Sequence, residues 1–208
     1  TLGADTRYDH ISRVGLYGSQ LGTITGIVRQ DGVNEYSAAL YASGQLQLTP
    51  RLRLTLGLRG DHYGYDVTAG LAANSGTGSD NLLSPKAAIA WAPIDYVELY
   101  ANYGEGFHSN DVRGATISVD PVTGDPADQV QVLARARGGE VGGRVELGRF
   151  NATAVVFYLD LASELVFVGD AGSTEPNDAS HRVGAEFSAF WRPTDWLTFD
   201  GSAAFTHA

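Results

Sequence analysis

Short and long connectors alternate along this chain, and the alternation limits the folds open to it. Tight turns stand at Thr49-Pro50-Arg51 and at 92–96, 147–150 and 192–196. Long polar stretches rich in Gly, Asp, Asn and Ser lie between them, at about 67–81, 107–136 and 169–180. A soluble sandwich mixes loop lengths at both of its ends. Tight turns at one end and long loops at the other are the geometry of an outer-membrane barrel, with short periplasmic turns and longer extracellular loops.

The segments between the connectors alternate in polarity. From His181 to Arg192, the residues Val183, Ala185, Phe187, Ala189 and Trp191 form one set. Arg182, Gly184, Glu186, Ser188 and Arg192 form the other, with Phe190 as the exception. Successive strand side chains point to opposite faces, so one face is apolar and one polar. The same period runs through Leu52, Leu54, Leu56 and Leu58 against Arg53, Thr55 and Arg59, and through Val97, Leu99 and Ala101 against Glu98, Tyr100 and Asn102. This predicts roughly nine strands: 2–12, 34–49, 51–66, 82–92, 96–106, 137–148, 150–168, 181–192 and 196–206. Several exceed the length of about 5–6 residues usual in globular domains, and match the 9–11 with which a tilted strand crosses a bilayer. Aromatic residues stand at both ends: Trp91, Tyr96, Trp191 and Trp196 near short turns, Tyr63, Tyr65, Tyr103, Phe107 and Phe167 near long loops. Rings at two heights suit anchoring at two membrane interfaces.

Composition agrees. Charged residues make up only 18% of the 208, glycine reaches 26, and no apolar run is long enough for a membrane-spanning helix. A net charge of −10 argues against a nucleic-acid partner, whose phosphates would need a basic face. Cysteine is absent, so there is neither a disulfide framework nor a thiolate metal site. The chain begins at Thr1 without a signal peptide and stops at Ala208 inside an expected strand, as an internal fragment would.

Several pieces go beyond pattern. Leu82-Leu83-Ser84-Pro85-Lys86 starts a strand; the run from Glu98 through Gly104-Glu105-Gly106 to Asp111 leads into a loop; Gly139 to Arg144, Phe157-Tyr158-Leu159-Asp160 and Ser180 to Glu186 follow. The turn Trp191-Arg192-Pro193-Thr194-Asp195-Trp196 completes the set. In this order they resemble the β-barrel of the TonB-dependent outer-membrane receptors, from about Gly32 to Ala208, with a weaker extension at 5–9. The resemblance implies a part of a transmembrane barrel of about 22 strands, plugged by an N-terminal domain. It implies a Gram-negative outer-membrane location, contact with outer-membrane lipid, and TonB acting through a plug domain. It further implies import of a small-molecule ligand such as a metal chelate, typically a ferric siderophore. No plug domain and no final aromatic-terminated strand is found in residues 1–208, which read as a partial barrel domain.

The sharpest polar cluster is His108-Ser109-Asn110-Asp111-Val112-Arg113. His108, Asn110, Asp111 and Arg113 are the ligand-contact candidates, with Arg113 and His108 able to meet an anionic or metal-bearing ligand at an outer vestibule. The competing reading is loop closure, with Asn110 or Asp111 in an Asx turn to nearby backbone. Asp170, Glu175 and Asp178 offer oxygen ligands but lack the spacing of a calcium loop. The five histidines form no metal motif, Ser, His and Asp form no nucleophile elbow, and no helix follows Gly138-Gly139 to cradle phosphate. No catalytic residue, metal site or cofactor is expected, and the chain is not expected to be an enzyme. A passive porin-like channel is the nearest alternative, and a soluble β-sandwich binding module a more distant one.

Overall fold

A computed structural model describes residues 1–168, 173–177 and 179–208, with the backbone alone at 164–168 and 173–177. The chain forms β1 (Leu2–Gln20), β2 (Thr23–Thr49), β3 (Leu52–Ala69), β4 (Gly76–Ile94), β5 (Val97–Ser109), β6 (Leu133–Leu147), β7 (Phe150–Leu161), β8 (Glu164–Val168), β9 (Ser173–Asn177), β10 (Ser180–Thr194) and β11 (Leu197–His207). A 3-10 turn at Ala72–Asn74 and a short helix α1 (Val112–Thr116) lie in two of the long loops. Nine strands make one sheet in the order β1-β2-β3-β4-β5-β6-β7-β10-β11, antiparallel throughout and not closed on itself; β8 and β9 pair separately as a small hairpin. Among the described residues no helix is long and apolar enough to cross a membrane, which says nothing of strands.

The expected strands and tight turns are in place. Each of the four inner connections leaves two residues between strands: Pro50-Arg51, Asp95-Tyr96, Gly148-Arg149 and Asp195-Trp196. Neighbouring hairpins are stitched at this rim by a repeated device. Arg51 donates to Pro93 O at 2.8 Å and pairs with Asp95 at 3.0 Å, and Arg149 pairs with Asp195 at 2.9 Å.

Two expected boundaries are corrected. Residues 13–33 carry no simple alternation, yet they extend β1 and β2 into a long hairpin ribbon with three register shifts. The ribbon turns at Leu21-Gly22, both with positive φ (50° and 81°). A two-residue turn with both residues left-handed matches the twist of the strands it joins. The expected strand at 150–168 is instead two strands, with β7 ending at Leu161 and β8 belonging to the small hairpin.

The two faces differ as the period requires. Leu40 is 73% exposed and Phe187 50%, whereas Ala39 and Asp61 on the opposite face are 5% and 8%. The apolar set points outward and the polar set lines the inner side, over which the outer loops fold. A small core lies there: Val33, Val67, Leu82 and Leu133 from the sheet meet Val112 and Val132 from the β5–β6 loop. Tyr63, Tyr65 and Phe107 pack against this core, so they are not outer-interface anchors; alternation had shown their height on the strands but not the loop above them. Trp91, Tyr96, Trp191 and Trp196 remain well exposed at the inner end, with Trp191 stacked on Phe199.

Candidate functional site

Pairing between β4 and β5 ends at Lys86 and Gly104, while β5 stays paired to β6 as far as Ser109 and Leu133. Gly104 and Gly106 stand where β5 parts from β4; a Cβ at Gly106 would meet nothing within 4 Å and one at Gly104 only an ordinary contact with Lys86, so crowding does not require glycine at either position. The next residues carry the candidate cluster over the inner face.

Asn110 is 5% exposed and closes the base of the 110–132 loop: its backbone N–H donates to Val132 O at 2.7 Å, and its Nδ2 donates to Gln131 O at 2.6 Å. Among the described residues its buried Oδ1 has no partner. Asp111 caps α1, accepting from the Arg113 backbone N–H at 2.9 Å. This is the Asx arrangement that the loop-closure reading foresaw. The same carboxylate receives the Arg113 guanidinium, with Nε donating to both oxygens at 3.0 Å and Nη2 to Oδ2 at 2.5 Å. His108 is half-buried near the end of β5.

The cluster extends to residues that sequence reasoning did not connect. Arg113 Nη1 lies 3.8 Å from Asp31, a residue of β2 that is itself bonded by Arg29 and 1% exposed. Arg29 also donates to Arg113 O at 3.4 Å, and Gly70 N–H to Asp31 Oδ1 at 3.2 Å. Two arginines and two aspartates thus join β2, the β3–β4 turn and α1, with no net charge. Burial pushes the Asp111 carboxyl up, but hydrogen bonds and charge from Arg113 outweigh it and hold it below the usual carboxylate range. The Arg113 guanidinium is raised by the same contact. Chemically, the cluster fixes the loop; Arg113 presents little free surface, its side chain being 15% exposed.

A second tie lies beside it. Asn74, 1% exposed, donates to Val119 O at 2.8 Å and accepts from Ser118 N–H at 2.9 Å and Val119 N–H at 3.0 Å. The β3–β4 and β5–β6 loops are therefore one unit. Beneath them the inner wall holds Arg59, paired with Asp5 at 2.6 Å and Asp61 at 2.9 Å, and Arg7, paired with Asp9 at 2.5 Å. This polar wall was detectable, since Asp5, Arg59 and Asp61 share the polar face of their strands, but only the register shows that they meet. Among the described residues no group of His, Asp and Glu is placed to hold a metal ion. The candidates Asp170 and Asp178 lie outside the described residues, as does the side chain of Glu175.

An open antiparallel meander with an apolar outer face, tight turns at one rim and loops folded over the inner face is the wall of an outer-membrane barrel. The family described as "TonB dependent receptor-like, beta-barrel" matches residues 1–208, and the chain belongs to it. The family lies in the Gram-negative outer membrane and consists of receptors and transporters rather than enzymes. Solved structures with the same fold include the copper transporter OprC, with a TM-score of 0.72, 17% identity, and coverage of 99% of this chain and 34% of that one. The FrpB iron transporter from Neisseria meningitidis follows at 0.64, 19%, 84% and 26%. BauA, the ferric preacinetobactin receptor from Acinetobacter baumannii, gives 0.62, 21%, 91% and 27%. The chain spans about a quarter to a third of the length of these structures. No curated protein matches it.

Proposed function

We propose that this chain is part of the barrel of an active importer, which carries a scarce nutrient such as a ferric siderophore across the outer membrane. The observation that supports this most is the family match over the whole of residues 1–208, joined to a fold shared with iron, siderophore and copper transporters. In this reading substrate binds on the extracellular side, between the loop unit held by Asp111, Arg113 and Asn74 and the inner wall around Arg59. A plug domain outside these residues fills the lumen and is acted on by TonB. His108 and Arg113 touch the ligand or steady the loop that does. Lipid surrounds the outer face, because in hydrocarbon each unpaired backbone group costs several kcal/mol and only a completed barrel avoids that.

The test is uptake of a labelled ferric chelate by iron-starved cells carrying the full-length gene, its deletion, or a TonB deletion. Active import predicts that uptake is lost in both deletions. Uptake that persists without TonB indicates a passive channel instead.

A further inference from the structure

The outward face carries a feature for which import of a cargo has no use. The strand register brings Tyr103, Gly139 and Tyr158 onto one row, with Gly139 directly between the two tyrosines. Because Gly139 has no side chain, a slot opens between the rings. Ala101, Val141 and Val156 on the next row continue it as an apolar groove toward the inner rim. The next row in the opposite direction is charged: Glu105, Arg137, Asp160 and His181. The stretch Arg137–Leu147 matches the 9–11 residues or so with which a tilted strand crosses the hydrocarbon layer. Arg137 therefore stands at the outer boundary of the lipid, at the top of the groove.

Arg137 is also weakly engaged. Its side chain is 53% exposed and reaches Glu105 only at 3.9 Å. Glu105 is bonded by Arg135 and by Tyr103 Oη (2.7 Å), while Asp160 lies 3.4 Å from His181. Glu105 thus has closer partners than Arg137, and among the described residues Arg137 makes no ion pair shorter than 3.9 Å, so its half-exposed guanidinium can receive an anion from the membrane.

We propose that this groove holds one phosphate-bearing lipid of the outer leaflet, with an acyl chain in the Gly139 slot between Tyr103 and Tyr158 and a phosphate on Arg137. A planar guanidinium matches two phosphate oxygens at once, and two tyrosine rings at the interface give the chain rigid walls. The site is independent of the cargo and of TonB.

The full-length receptor, extracted from outer membranes in mild detergent, tests this by native mass spectrometry. The probes are a phosphorylated glucosamine-disaccharide lipid, the same lipid stripped of phosphate, and inorganic phosphate. The wild-type protein is expected to retain one phosphorylated lipid. Arg137→Gln should lower retention about tenfold, as loss of one charge-assisted contact predicts. Tyr158→Ala, which removes one wall, should lower it as well, and Arg149→Gln at the inner rim should not. Heat-modifiable gel migration establishes that each variant is folded. Equal retention by folded wild-type and Arg137→Gln protein overturns the proposal. Equal retention of the dephosphorylated lipid, or displacement of the lipid by inorganic phosphate at matched concentration, also overturns it.

Discussion

Asp111 and Arg113, two residues apart, bind each other twice over: the carboxylate caps the helix through the Arg113 backbone N–H and receives the forked guanidinium of the same residue. The pair is anchored in turn on Asp31, so one carboxylate sets the start of α1 and a second ties it to β2 through the same arginine.

Replacing Arg113 by lysine should loosen the loop without preventing barrel assembly. Lysine keeps the charge but not the fork. Hydrogen bonds to charged groups contribute about 1.5–3 kcal/mol each, and this partly exposed site belongs at the low end. The expected outcome is faster cleavage of the 110–132 segment by added protease on intact cells, with unchanged amounts of folded receptor. Cleavage at the wild-type rate would show that the fork does not hold the loop.

The same clasp should depend on acid. The Asp111 carboxyl is depressed in the folded protein, so its contribution is present above the ordinary aspartate range, about 3.9, and is lost as pH falls through its lower folded value. Pepsin should therefore leave the loop intact near pH 4.5 and cut it faster as the pH is lowered through the folded value of Asp111. Asp111→Asn should be cut at pH 4.5 as well.

Orientation is open to labelling because the chain contains no cysteine. Leu21→Cys at the ribbon tip and Gly124→Cys in the β5–β6 loop should react with an impermeant maleimide on whole cells. Pro50→Cys and Asp95→Cys should react only after the outer membrane is opened. The opposite pattern would invert the wall.

The two faces should respond differently to charge. Phe187→Arg places a cation in lipid at a cost of roughly 2–4 kcal/mol near the midplane. Ser188→Arg, one residue along, faces the inner side. Assembled receptor in the outer membrane should fall for the first and hold for the second. Equal loss would mean that the period does not separate lipid from lumen.

Close packing of Tyr36 over Gly64 gives a paired test. A Cβ at Gly64 would collide with the Tyr36 ring on the adjacent strand. Gly64→Ala should destabilise the barrel by about 1 kcal/mol, the low end for overpacking, because the half-exposed Tyr36 ring can move aside. The change should be reversed by adding Tyr36→Ala, measured as the temperature at which the gel mobility of the folded form is lost. No rescue would place the strain in the backbone.

Much of this protein was determined by sequence alone, because its strands obey a local rule. The side-chain period along Leu52–Leu58 and Val183–Trp191 assigns the faces, and the positions of Pro50, Pro93, Gly148 and Pro193 fix the inner turns and with them the meander. Each of these depends on residues within one or two strands, and the order of motifs from Leu82 to Trp196 carried the family. Tertiary structure decided what depends on distant parts of the chain. The ribbon at 13–33 was hidden because its register shifts break the period. Alternation alone places Tyr63 and Phe107 at the outer membrane interface, because nothing local shows that the segment carrying Val112 and Val132 folds over the sheet there. Arg113 meets Asp31, and Arg137 stands weakly engaged above Gly139, only because the register places those strands together. Charge and burial are properties of neighbours in space, and only the completed sheet and its folded loops supply them.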